Sequence, residues 1–360
     1  MWPDRRLLDL LHIDYPIIQA PMAGAMDWEL VAAAADAGAL GSLPGAMLSS
    51  DQLREQVGKI RARTDKPINV NFFCHTPPPT DGVAEAAWRE RLAPYYKEFG
   101  LDPQALTNAP NRTPFDPAMC DVVVAVRPAV VSFHFGLPEP ALVRRVKDAG
   151  CIVLSSATTV GEARWLEDHG ADAIIAQGFE AGGHRGMFLT ENVQNQVGTF
   201  ALVPQIASAV KLPVIAAGGI ADGRGIAAAF ALGAAGVQIG TAYLFSPEAK
   251  ISAPHRAALK AARDDATALT NVLTGRPARG LVNRAMRELG PLTDTAPPFP
   301  LAANTLAPLR AKAEAQGSGD FSPMWSGQAA GLGRELQARE LTQKLAADAL
   351  DRLRRLARPG

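Results

Sequence analysis

The segment AIIAQGFEAGGHRG, residues 173–186, sets Gln177, Glu180, a glycine pair and His184 at the end of an apolar run. A neutral imidazole can take a proton near pH 7, so His184 is a candidate for acid–base work. Gly182 and Gly183 before it let the chain fold closely over a ligand. His134, in VVSFHFG, ends another apolar run; it is either a pocket residue or a structural histidine between two phenylalanines. His12, His75, His169 and His255 have no comparable setting, although His169 precedes a helix-ending glycine, where a cation suits the macrodipole. Glu180 is the main carboxylate of this region, and a loop carboxylate of this kind also bonds backbone amides.

Two further stretches carry chemistry. AAGGIADGRG holds Gly218 and Gly219, and QIGT holds Gln238, Gly240 and Thr241. Glycines at such turns let a phosphate approach backbone N–H groups at a helix start. A tight strand-to-helix turn also uses glycine, and GGIADGRG is not GxGxxG; two such turns on successive strands favour the phosphate. Asn71, Gln177 and Gln238 lie inside apolar runs. A buried amide must find partners, in neighbouring backbone for any one of them, but three at one end of a sheet favour a polar heterocycle. The sequence has no nucleophile elbow, metal-spaced cluster or Walker loop. Hydrolysis and metal catalysis therefore lack equipment, and a cofactor that carries the hard chemistry fits better.

These residues need elements to position them. Eight short apolar runs, from YPIIQAPMAG to AGVQIGTAYL, are mostly separated by helical segments, several ending at glycine as in KDAG, EDHG and FALG. Strands apolar on both faces are buried parallel strands. Repeated βα units predict an α/β fold, a (β/α)8 TIM barrel over residues 1–245, with a doubly wound open sheet as the alternative. In such barrels ligands sit beyond the C-terminal strand ends, where the residues above fall. Residues 74–119 and 246–301 exceed ordinary connections. They are expected to form a smaller region that caps the substrate site. The helices of 302–360, including the amphipathic tail from Gly333, are expected to pack back on the barrel.

The chain has 360 residues, 48% of them hydrophobic, with 36 Lys plus Arg against 36 Asp plus Glu. No basic face for nucleic acid is implied. Cys74, Cys120 and Cys151 show no CxxC spacing, which fits a reducing cytoplasm better than a disulfide framework or a zinc site. Neither a signal-peptide pattern nor a membrane-length apolar run is visible.

QAPMAG, NVNFF, VVSFHFGLP, QGFEAGGHRG, PVIAAGGIADGRG and VQIGTAYL, in this order from Ile13 to Phe245, resemble the nitronate monooxygenase family, formerly 2-nitropropane dioxygenases, and its nitronate-oxidising class I branch best. The resemblance implies an FMN-bearing barrel. Met22 and Ala23 would back the flavin, and Asn71, Gln177 and Gln238 would bond its ring or ribityl chain. Gly182 and Gly183 would line it, while Gly218, Gly219, Gly240 and Thr241 would hold its phosphate. His184 corresponds to the catalytic histidine and His134 to a pocket histidine. The implied reaction is a detoxifying oxidation of alkyl nitronates by O2 to a carbonyl compound and nitrite, with propionate 3-nitronate as substrate. His184 would position the nitronate by a hydrogen bond to a nitro-group oxygen, or take the α-proton of a neutral nitroalkane. No nucleic-acid or membrane partner is implied, and a homodimer is compatible. Several motifs are shared with NAD(P)H-dependent flavin reductases of enoyl thioesters or quinones, the alternative activity. The chain departs from the family pattern in PMAGAMDW and in having no tyrosine after Tyr243, with Leu306 where an aromatic would stand; Arg310 and Lys312 are kept.

Overall fold

A computed structural model describes residues 1–79, 82–102 and 112–357. Each of the eight apolar runs forms a strand: β1 (Ile17–Gln19), β2 (Gly41–Pro44), β3 (Ile68–Phe73), β4 (Val130–His134), β5 (Ile152–Ala157), β6 (Ala173–Gln177), then β8 (Val214–Ala217) and β9 (Gly236–Ile239) after the two-residue β7 (Gly183–His184). The eight pair in parallel in the order β2-β3-β4-β5-β6-β8-β9-β1. The Ile18–Leu40 bridge brings β1 back to the start of β2 and closes the ring. The molecule is thus a (β/α)8 TIM barrel and not an open doubly wound sheet. Its strands are buried on both faces, as their uniform apolar character requires. Polar interior groups are partly paired with one another: Asn69 Nδ2 donates to Ser42 Oγ at 3.0 Å and to Ser132 Oγ at 2.8 Å, while Asn69 Oδ1 has no partner among the described residues. The glycines of KDAG, EDHG and FALG adopt positive φ (86°, 97° and 95°), the left-handed cap that turns each helix back toward the next strand.

A second apolar core lies outside the barrel. Trp88, Leu92 and Tyr96 of helix Gly82–Glu98 pack with Leu273, Met286, Leu306, Leu309 and Phe321. The antiparallel hairpin β10 (Thr267–Thr270) and β11 (Ala278–Leu281) belongs to this region, and β11 pairs with β7. The loop after β6 is thereby zipped to the cap, with His184 opposite Ala278. The 74–119 segment is not all insertion: Asp116 caps helix Pro117–Val126, which packs between barrel helices. Residues 80, 81 and 103–111, including the first five residues of TNAPNRTPFDP, lie outside the described residues. Nor do residues 302–360 pack as one block on the barrel. Helix Ala338–Leu356 lies on barrel helices Gly223–Ala231 and Trp28–Asp36, whereas helix Ala302–Ala315 joins the cap core beside Gly82–Glu98. Among the described residues, no helix is long and apolar enough to cross a membrane.

Candidate active site at the barrel mouth

The C-terminal strand ends and the cap enclose a cavity of about 490 Å³. Every strand-end residue singled out in the sequence lines it. Met22 and Ala23 follow β1, Asn71 lies in β3, and His134 ends β4. Gln177 ends β6, with Gly182, Gly183 and His184 in the loop beyond. Gly218 and Gly219 follow β8, while Gln238, Gly240 and Thr241 come from β9 and its turn.

Several of these side chains are already bonded to the protein. Asn71 Nδ2 donates to Ser132 O at 3.2 Å and to Ser132 Oγ at 2.9 Å. Gln177 clips the following loop: its Nε2 donates to His184 O at 2.9 Å, and its Oε1 accepts from Gly186 N at 2.7 Å. Glu180 accepts from the Thr199 amide and hydroxyl at 2.8 Å each, so it caps helix Thr199–Ala209. Thr241 Oγ1 accepts from Gly327 N at 2.9 Å and ties the cap to the last barrel turn. Gln238 differs, because its Oε1 is buried without a partner among the described residues. Gly218 (φ +112°) and Gly219 (φ +71°) hold a backbone that side-chain-bearing residues avoid. At Gly183 (φ +74°) a Cβ would meet nothing within 4 Å, which leaves the backbone open there.

The two candidate histidines differ in kind. His134 Nε2 lies 3.1 Å from His184 O and must donate to it, so Nδ1 accepts from Ser156 Oγ at 3.0 Å. Both ring nitrogens are used, and the ring braces the His184 backbone. Burial foremost, with the Arg276 and Arg185 charges, lowers its pKa to about 4 despite that hydrogen bond. His184 keeps one nitrogen free. Its Nε2 meets Thr274 Oγ1 at 2.9 Å, while Nδ1 makes no hydrogen bond among the described residues. Burial, then the charges of Arg112, His134, Arg276 and His75, hold its pKa well below the usual value, so the imidazole is neutral at pH 7.

The loop that presents His184 rests on Arg185, which the sequence reading passed over. This fully buried guanidinium donates to Gly178 O at 2.7 Å, Gln177 O at 2.8 Å and Gln196 Oε1 at 3.0 Å. The cap supplies the remaining groups that sequence did not mark. Phe299 and Trp325 flank His184, with ring centroids 5.1 Å and 5.3 Å away. Trp325 thus provides aromatic lining with Phe299 packed beside the imidazole, whereas Leu306 is buried in the cap core. Arg112 lies 5.5 Å over the Phe299 ring and Arg276 lies 4.0 Å over that of Phe135. Among the described residues Arg112 Nη1 and Arg276 Nε are buried without partners and no ion pair reaches either side chain, although the Arg276 guanidinium donates to Met187 O through Nη2. Of the histidines without a marked setting in the sequence, one lines the cavity and another packs beside the aromatic cluster of the cap. His75 packs against Phe299 at 4.9 Å, and His255 lines the cavity; burial pushes both to about pKa 4. His169 caps its helix, with Nδ1 bonded to Trp165 O at 2.7 Å.

A family model described as nitronate monooxygenase matches residues 4–348. A nitronate monooxygenase from Pseudomonas aeruginosa is 45% identical over 342 residues, covering 94% of this chain and 97% of the relative. One from Paraburkholderia phytofirmans is 44% identical, covering 95% and 94%. Among solved structures, nitroalkane oxidase from Streptomyces ansochromogenes superposes with a TM-score of 0.89 at 37% identity, covering 98% of this chain and all of that one. FabK from Thermotoga maritima gives 0.76 at 30% identity, with 99% of each chain covered. Matched from end to end in sequence and in fold, this chain belongs to the nitronate monooxygenase family of oxidoreductases.

Proposed function

We propose that the enzyme oxidises alkyl nitronates with O2 to a carbonyl compound and nitrite at an FMN bound across the barrel mouth, with propionate 3-nitronate as a substrate. The observation that carries this reading is a neutral, buried His184 with one free ring nitrogen, in a cavity also lined by Arg112, whose buried Nη1 has no partner among the described residues.

The residues present fit the cofactor. About 490 Å³ is within the range of cofactor pockets. The orphaned Gln238 Oε1 calls for a donor such as a flavin ring or ribityl group, and the turns at Gly218–Gly219 and Gly240–Thr241 offer backbone donors to a phosphate. Gly182 and Gly183 would line the ring, and Met22 with Ala23 would back it. Asn71 and Gln177 are engaged with the protein and would act mainly by fixing the wall. When bound, FMN supplies the electron acceptor and passes electrons to dioxygen.

The chain's own residues then have separable tasks. His184 holds a nitronate oxygen through its free ring nitrogen. Arg112 favours an anionic substrate, because a buried guanidinium donor without an acceptor gains most from one. Phe299 and Trp325 exclude water, which strengthens these interactions.

The test is an oxygen electrode with nitrite detection. Flavin-loaded enzyme given propionate 3-nitronate without NADH should consume oxygen and release nitrite. His184→Asn should lower kcat/KM by about 100-fold, the scale of a lost positioned proton-bearing group. Loaded enzyme that releases no nitrite would sink the proposal. The likeness to FabK supports a second reading, an NAD(P)H-dependent flavin reductase. Rapid anaerobic bleaching of the flavin by NADH or NADPH would favour it over the first.

A further inference from the structure

Which ring nitrogen of His184 carries the proton decides whether this side chain gives or takes a hydrogen bond at the substrate. Nε2 is occupied by Thr274 Oγ1 at 2.9 Å, so Nδ1 is the atom left for the cavity. The Thr274 hydroxyl has one proton to donate. Two acceptors lie near it: His184 Nε2 at 2.9 Å and Arg276 O at 3.4 Å. The second distance exceeds the normal range for a hydroxyl donor.

Thr274 is held firmly in this position. It is 1% exposed, and Asn271 O accepts from the amide of Gly275 at 2.7 Å. Gly275 has φ +89°, and a Cβ on it would lie 2.1 Å from Pro297 O, so the turn needs glycine. The same Pro297–Phe299 stretch sets Phe299 against the imidazole, with Trp325 also beside the ring. The cap therefore fixes both the orientation of the ring and the partner of its Nε2.

We propose that Thr274 donates its hydroxyl proton to His184 Nε2 and holds the imidazole as the Nδ1–H tautomer, making Thr274 the positioning residue by which the site selects anionic nitronates over neutral nitroalkanes. An Nδ1–H group donates to a nitronate oxygen. It has no lone pair to remove the α-proton of a neutral nitroalkane, which must ionise in solution before it can be used. The substrate arm of this inference rests on the nitronate reading above; the tautomer itself does not.

Two measurements test it on the flavin-loaded enzyme. NMR of isotope-labelled histidine nitrogens, assigned with a His184→Gln control, reports which nitrogen of His184 is protonated. The second is the ratio of kcat/KM for a preformed nitronate to that for its parent nitroalkane, in the wild type, Thr274→Val and Thr274→Ser. Nδ1 should carry the proton in the wild type. The ratio should fall about tenfold in Thr274→Val, the scale of one hydrogen bond, and return to within about twofold in Thr274→Ser. A proton on Nε2 in the wild type would overturn the assignment. So would an unchanged ratio in folded Thr274→Val. If the valine variant fails to fold, the wild-type spectrum decides alone. If no nitronate is oxidised while Nδ1 carries the proton, the proposed function fails and the tautomer assignment stands.

Discussion

The barrel wall and the cap wall of the cavity use their polar groups differently. On the barrel side, Asn71, Gln177, His134, Glu180 and Arg185 are bonded to the protein itself, mostly to backbone. On the cap side, Arg112 Nη1 is buried at the cavity without a partner among the described residues; behind the lining, Arg276 Nε and His75 Nδ1 also lack one, although the Arg276 guanidinium donates to Met187 O. An unmet buried donor costs about 1–3 kcal/mol, which a fold retains where something else offsets it. The contrast separates scaffold from proposed recognition: the barrel wall holds the His184 loop in place, and Arg112 on the cap wall keeps a donor that the proposed anionic substrate would meet. Among the described barrel residues that line the cavity, Gln238 is the instructive exception, an orphaned acceptor at the position proposed to face the cofactor.

The largest expected effect tests the scaffold half. Arg185→Met removes all the side-chain donors that tie Gln177 O, Gly178 O and Gln196 together beneath His184. Unfolding in denaturant should show a loss of about 3–5 kcal/mol, with activity falling alongside it. Arg185→Lys should recover little, because an ammonium cannot span a three-acceptor fork. A loss below about 1 kcal/mol would mean the loop supports itself, and the barrel wall would lose its scaffold role.

The next effect tests the recognition half. Arg112→Met deletes a buried charge that pairs with no carboxylate among the described residues. Stability should hold or rise slightly, while kcat/KM for a carboxylate-bearing nitronate falls about 10- to 100-fold, the scale of one or two lost charged hydrogen bonds. A nitronate without the carboxylate should lose less. If Arg112→Met instead destabilises the fold as Arg185→Met does and leaves kcat/KM intact, the two walls do not differ as argued.

The same division explains what the sequence revealed. Barrel strands and their terminal residues are legible because apolar runs, glycine caps and helix starts are local signals, and the parallel barrel puts all strand C-termini on one face. Gln177, Gly218 and Gln238 could therefore be grouped before any coordinates. Glu180 and Asn71 turned out to serve backbone and a neighbouring serine, which the number of amides at one rim could not distinguish from ligand contact. Thr274, Phe299 and Trp325 carry no local mark. They reach His184 because β11 pairs with β7 and the cap folds around its own apolar core, a tertiary event with contact partners some 90 to 140 residues apart in sequence. His75 and His255 were set aside for the same reason: each lies in an unremarkable loop or helix and gains its setting only when the cap closes.

The smallest expected effect, pH dependence, asks whether both walls keep their histidines neutral for the same reason. Burial comes first for His134 on the barrel side and for His75 and His255 on the cap side, and each is pushed to about pKa 4. The unfolded chain titrates them near 6.5. Between pH 6.5 and 4 the unfolded state therefore binds more protons, so stability rises with pH across that window, is complete above it, and is lost on acidification toward 4. Each histidine should contribute about 1 kcal/mol over the first pH unit below 6.5. Denaturant unfolding of the wild type and His134→Gln at a series of pH values should show a slope reduced by one histidine in the variant. Arg112→Met should flatten the curve as well, because the Arg112 charge adds to Arg276 and to burial in holding His75 neutral. His134 draws instead on Arg276 and Arg185, so its share should survive that substitution. Equal slopes in the wild type and both variants would mean that neither wall holds these rings uncharged, and the electrostatic case for a cationic cap facing a neutral His184 would lose its footing.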